Sequence, residues 1–269
     1  MYEEPYRWIE AVGNRRHYLD DQFKQGSPVI GVSCDTGVLL MTMSKGTPKL
    51  YEIYDRLALG GMGHPADLEK LRFNLLEMAH VEGFNRSPSD VTGSRMVKYG
   101  IAPMIKQAFE EVFKAPFIAK ILLAELGQQA GKDKFLTINF DGTFEEKSRY
   151  AVLAASAAIE EEMISYLRQQ SIASLEQVVD AAVCSWAVGD RAQRQALEES
   201  GEHHEAQAGS ARLVSDPDLL YEHIRRCMND MTIECALLDR HVPGASKYRT
   251  LDPDELERLL PDDLGRPAA

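Results

Sequence analysis

Residues 26–64 read GSPVIGVSCDTGVLLMTMSKGTPKLYEIYDRLALGGMGH, and they leave the chain few folds to choose from. Residues 28–33 are rich in β-branched side chains, which suit a pleated, half-buried surface. Asp35, Thr36 and Gly37 carry turn chemistry, and residues 38–42 form a second apolar run. Two such runs joined by a short turn predict a buried hairpin. Residues 50–59 are alternately apolar and continue into Gly-Gly-Met-Gly-His, which predicts further strand.

The remaining pattern shows how these strands are covered. Residues 5–25 place Tyr6, Ile9, Val12 and Arg16 at rough helical spacing, so a helix is expected ahead of the first hairpin. It is read as lying outside the main fold, where it docks on its own domain or on a second copy. Residues 65–79 predict an amphipathic helix with Leu68, Leu71, Leu75, Leu76 and Ala79 in one stripe, and a break over 80–85. A second helix is expected over 94–113, kinked or late in starting because Pro103 lacks an N–H. Strands follow at 118–127 and 134–139, with a Phe140-Asp141-Gly142-Thr143 turn and a return strand over 144–155. Helices are expected at 157–168 and 175–186, with Glu160, Glu161 and Glu162 on a solvated face. Residues 190–216 are polar and almost free of large apolar side chains, so they read as a mobile insertion. A helix at 219–228, a strand at 232–238 and a helix begun by Asp252-Pro253 complete the domain, and 261–269 should fray. Strands therefore come in hairpins and helices in consecutive pairs. That order predicts an α+β fold of antiparallel sheets packed face to face with helices outside, not βαβ units.

Composition removes several classes of function. A net charge of −12 and a pI of about 5.1 offer no general basic footprint for nucleic acid or anionic membrane. No apolar run approaches the roughly 20 residues of a membrane span. Cys34, Cys184, Cys227 and Cys235 form no CxxC pair and are expected to be free thiols. The start, MYEEPYRWIE, lacks a basic region followed by an apolar one, so the chain is expected in the cytoplasm.

Four motifs in order resemble bacterial proteasome α-type subunits. They are KLYEIYDRLALGGMGH at 49–64, SDVTG at 89–93, FLTINFDGTFEEKSRYAVLAAS at 135–156 and IECALLDRHVPGASKYRTLDPDELERLL at 233–260. The resemblance implies a four-layer α-β-β-α sandwich of the N-terminal-nucleophile (Ntn) hydrolase class. It implies residues 1–25 as an N-terminal helix and gate, 26–260 as the sandwich with 190–216 inserted, and 261–269 as a tail. Its partners would be copies of itself in a heptameric ring, catalytic β-type subunits and a regulatory ring ATPase, with no cofactor and no metal.

The same resemblance poses the catalytic question. Active members of the class use a hydroxyl or thiol at a freed N-terminus, with its own α-amine as base. Ser27 stands near that place behind twenty-six residues, and Lys49 matches the family's catalytic lysine. Against activity, the carboxylate position falls at Thr42-Met43, Asn229-Asp230-Met231-Thr232 lacks the supporting glycines, and Pro28 follows Ser27 directly. In α-type subunits the same lysine instead meets the C-terminal carboxylate of the ATPase, a role suited to a compact mobile cation. Gly63 matches the glycine of that docking pocket, and His64 follows it. The expectation is therefore a non-catalytic subunit with docking residues Lys49, Gly63 and His64; the alternatives are a self-processed hydrolase using Ser27 and Lys49, or a ring-forming scaffold without a protease partner. Glu202, His203, His204 and Glu205 read as part of a charged loop, not a metal site. Asp90 and Thr92 read as helix caps.

Overall fold

The computed structural model describes residues 4–111, 113–201, 216–261 and 264. The first hairpin pairs β1 (Val29–Ser33) with β2 (Gly37–Ser44) from Val29↔Thr42 to Ser33↔Val38. Its sheet is extended on one side by β9 (Thr232–Asp239) and β10 (Tyr248–Thr250), and on the other by β8 (Tyr150–Leu153). The second sheet runs β3 (Leu50–Tyr54), β4 (Leu57–Gly63), β5 (Ala119–Glu125), β6 (Lys134–Ile138) and β7 (Phe144–Lys147) in that order. Every pairing in both sheets is antiparallel.

Both faces of each central strand are buried, which is why the strand sequences are continuous apolar runs. In β2, Leu39, Met41 and Met43 face one core while Val38 and Leu40 face another. The first of these cores lies under α5 (Ala157–Gln169), α6 (Leu175–Gly201), α7 (Pro217–Cys227) and α8 (Pro253–Leu259). The second fills the space between the sheets, with Val29, Leu122 and Phe135 among its members. A third lies between the second sheet and α2 (Pro65–Asn85), α3 (Gly93–Met96) and α4 (Ala102–Glu110). The result is the four-layer α-β-β-α sandwich that the resemblance implies.

Several local expectations need correction. Helix α2 does not break at 80–85: it continues to Asn85, where His80 meets the Tyr54 ring edge-on and Glu82 pairs with Arg86 and Arg95. The second helix on this face is interrupted by a π-turn, Val97–Ile101, just ahead of Pro103. A proline cannot donate to the carbonyl four residues back and its ring crowds that group, so a widened turn relieves the conflict. Thr92 caps α3 through Arg95 N–H, whereas Asp90 closes a 3₁₀ turn capped by Ser87. The return strand 144–155 is split. Arg149, at φ 67°, ends β7, and β8 crosses to the first sheet to pair with β1. Glu160 is not on a solvated face: its Oε1 accepts the Ala154 N–H at 3.2 Å.

The polar stretch begins as helix, because α6 runs on through Gly201. Asp190 and Gln193 are buried there and hydrogen-bonded, so polar side chains with partners replace apolar ones. Glu202, His203, His204 and Glu205 lie outside the described residues. Helix α1 (Glu4–Phe23) is not merely outside the sandwich either. Leu19 and Phe23 are fully buried between the sheets, and Phe23 stacks on Phe140 at 5.7 Å. The Arg15 guanidinium donates to the carbonyl of Phe109 at 3.1 Å, and Arg16 pairs with Asp141. Trp8, Ile9 and Tyr18 remain exposed on its other face.

Candidate functional site

The mouth of the sandwich at the start of β1 gathers Ser27, Thr42, Lys120, Trp186 and Gln193. Ser27 is buried, and its Oγ accepts the indole N–H of Trp186 at 2.9 Å. Its second neighbour is the Thr42 hydroxyl at 3.4 Å, which itself donates to the Pro28 carbonyl at 2.7 Å. Gln193 Nε2 donates to the Gly26 carbonyl at 2.7 Å, while its Oε1 accepts the Ala155 N–H at 2.9 Å. One amide group from α6 thus ties the approach to β1 to the exit of β8. In the intact chain the nitrogen of Ser27 is a peptide nitrogen, so it cannot act as an α-amine base.

Lys120, on β5, closes the same mouth from the second sheet. Its Nζ donates to the carbonyls of Ala154 and Ala155 at 2.7 and 3.3 Å and sits 5.1 Å from the centre of the Phe23 ring. Burial lowers its pKa, against the pull of Glu160, Asp20 and Asp141. Burial raises the Glu160 carboxyl, with Lys120 opposing. Met43 points away into the helix-covered core, so Thr42 is the β2 residue that faces Ser27.

Lys49 lies at the head of β3. Its N–H donates to Glu234 Oε2 at 2.9 Å, and its carbonyl accepts from Gly61 at 3.0 Å. Glu234 is the cross-strand partner of Thr42, which places Lys49 and Ser27 on either side of this pair. Burial pushes the Lys49 ammonium below the ordinary lysine range, Glu234 opposes, and Lys45 adds to the lowering. No carboxylate oxygen lies within 4 Å of that ammonium among the described residues. Gly63 ends β4, two residues beyond Gly61. It holds φ +137°, and a Cβ there would fall 2.1 Å from the Ile118 carbonyl oxygen. The backbone of this segment requires glycine whatever binds outside it. His64 caps α2: its N–H donates to Ile118 at 2.7 Å, and its Nδ1 accepts from Ala66 N–H at 3.2 Å. A groove of about 560 Å³ opens beside His64, bounded by Asp67, Lys70, Met104, Gln107 and Phe117. Lys49 is not part of that groove, so one copy of the chain does not by itself join all three docking candidates in one pocket.

Sequence reasoning missed Lys120, Trp186 and Gln193. Trp186 carried a usable signal, since a buried indole N–H needs an acceptor. Lys120 stands in an apolar strand, where a lysine needs polar partners. Gln193 sits where the apolar pattern has faded, and no spacing distinguishes it from its neighbours.

The fold is an α+β four-layer sandwich consistent with that of a proteasome α subunit, and such a fold does not by itself settle activity. No family model matches the sequence. The chain is 28% identical over 259 residues to the Proteasome subunit alpha of Nocardioides sp., covering 93% of this chain and 86% of the relative. It is 25% identical over 255 residues to that of Thermobifida fusca, covering 93% and 87%. Over 135 residues it is 31% identical to that of Saccharopolyspora erythraea, covering 49% and 52%. The chain is thus related along nearly its whole length to bacterial proteasome α-type subunits.

Proposed function

We propose that this chain is a non-catalytic α-type subunit of a bacterial 20S-like proteasome in the cytoplasm. It forms an outer ring, a heptamer as the family resemblance implies, over a ring of catalytic β subunits. The ring limits entry to the chamber, with residues 1–25 at the gate, and receives a regulatory ATPase. The observation that carries this reading is the setting of Ser27, buried with its hydroxyl engaged by Trp186. Helix α1 supports it further, because two of its residues are built into the core and are ill-suited to be a discarded propeptide.

Lys49 is the docking cation. Its place at the head of edge strand β3, outside any ion pair among the described residues, leaves it free to meet a carboxylate from a partner, and the pocket is completed with His64 and the groove of an adjacent copy. Losing one side of a charge-assisted contact costs about 1.5–3 kcal/mol, or about tenfold or more in affinity. Lys49→Ala should weaken binding of the ATPase C-terminal peptide by that factor and slow degradation of folded substrates. Ring assembly and short-peptide hydrolysis by the α/β complex should stay near wild type. The lowered Lys49 pKa near Ser27 also fits a self-processed hydrolase. That reading gains if Lys49→Ala abolishes short-peptide hydrolysis and leaves ATPase-peptide affinity unchanged.

A further inference from the structure

In the outer helix layer, one tryptophan ring away from Ser27, three donor atoms converge. His223 and Cys227 are one turn apart on α7, so helical spacing puts both on one face. Asp190 faces them from α6. Its Oδ2 lies 2.8 Å from His223 Nε2 and 3.8 Å from Cys227 Sγ, and Sγ lies 3.6 Å from the same Nε2. All three residues are buried, at 7%, 8% and 7% exposure for Asp190, His223 and Cys227. Among the described residues this is the cluster of His, Cys and acidic donors close enough to share one ion.

The geometry decides what kind of cluster it is. A nucleophile relay needs the imidazole to face the thiol with one nitrogen and the carboxylate with the other. Here a single nitrogen, Nε2, faces both, so the three groups point at one centre. Tetrahedral zinc with Zn–S near 2.3 Å and Zn–N and Zn–O near 2.0–2.1 Å puts its ligand atoms roughly 3.4–3.6 Å apart. The two sulfur distances are already close to that. The Asp190–His223 contact opens by about half an ångström once a metal replaces the proton between them. One sulfur, one imidazole and one carboxylate form a borderline donor set that suits zinc over calcium or magnesium.

We propose that Asp190, His223 and Cys227 form a zinc-binding site that fastens α7 to α6. Binding sends the Cys227 thiol proton to solvent and moves the imidazole proton to Nδ1, which frees the sulfur and Nε2 for the metal. Asp190 and Cys227 together neutralise the dication. Arg194 donates from Nε to Asp190 Oδ2 at 2.6 Å and from Nη2 to Cys227 Sγ at 3.8 Å; it is half exposed, and it must swing off both ligand atoms toward solvent for the ion to enter. Trp186 lies against His223, with ring centres 6.3 Å apart, and fixes the imidazole plane. The site does not depend on the proteasome reading.

The test uses the full-length chain, stripped with a chelator and titrated with Co²⁺ and then Zn²⁺. One Co²⁺ should bind per chain, giving a thiolate-to-metal charge-transfer band that Zn²⁺ removes, and Zn²⁺ should raise the melting temperature. Cys227→Ser should abolish the band and lower Zn²⁺ affinity at least about tenfold, while Cys235→Ser and a His203→Ala/His204→Ala double variant retain both. Absence of the band in the wild-type chain, or its survival in Cys227→Ser, overturns the proposal. Loss of binding in the double variant with Cys227→Ser unaffected overturns it as well.

Discussion

Gly63→Ala should lower the stability of the folded chain by about 4 kcal/mol or more, from strain at a glycine-only φ and a backbone clash. The added Cβ would meet the Ile118 carbonyl oxygen at 2.1 Å. That oxygen accepts the His64 N–H, and the Ile118 N–H donates to Asp67 Oδ2 at 2.9 Å, so the strand cannot yield without losing both bonds. Urea unfolding would read the change as a lower midpoint at constant slope. An unchanged midpoint would show that β4 and β5 can part there. Because the fold itself requires this glycine, failure of a Gly63 variant to bind an ATPase would say little about docking. Lys49→Ala, which keeps the backbone bonds to Glu234 and Gly61, is the cleaner probe.

Phe23→Ala should cost about 3–5 kcal/mol, the usual range for emptying a fully buried aromatic site. Phe23 has no solvent exposure, stacks on Phe140 and lies under the Lys120 ammonium. Truncation would open a cavity between the sheets and remove the ring face that the Lys120 ammonium lies against. On the other face of α1, Trp8→Ala and Ile9→Ala should change stability by no more than about 0.5 kcal/mol, as at most surface positions. Their effect should appear as a shift from ring to smaller species in native mass spectrometry. Equal losses of stability at Trp8 and Phe23 would contradict this division of α1 into a core-facing and a partner-facing side.

How far the sequence carried the fold differs by element. The runs around Val32 and Leu39 announced buried antiparallel strands because β-branched apolar runs and turn residues are local signals. The Leu68, Leu71 and Leu75 stripe announced α2 for the same reason, and Pro103 marked the place of the π-turn. The end of α2 and the length of α6 were hidden. Both depend on polar contacts, Glu82 with Arg95 and Gln193 with Gly26, that form only when distant segments meet. The crossing from β7 to β8 was equally hidden, since one left-handed residue at Arg149 redirects the chain without altering the apolar pattern. At the mouth, Ser27 and Lys49 were legible through family likeness. That Ser27 is held by Trp186, and that Lys120 and Gln193 close the opening, needed the three-dimensional arrangement.

The central claim is that this chain keeps its N-terminal segment and does no chemistry at Ser27. Intact mass spectrometry of the chain taken from an active complex with its β subunits tests it directly, with peptide hydrolysis followed in the same preparation. The account predicts a mass near 30.1 kDa, with hydrolysis unchanged by Ser27→Ala in this chain. A chain shortened to begin at Ser27, with activity lost in the Ser27→Ala variant, would contradict it and make the protein an enzyme.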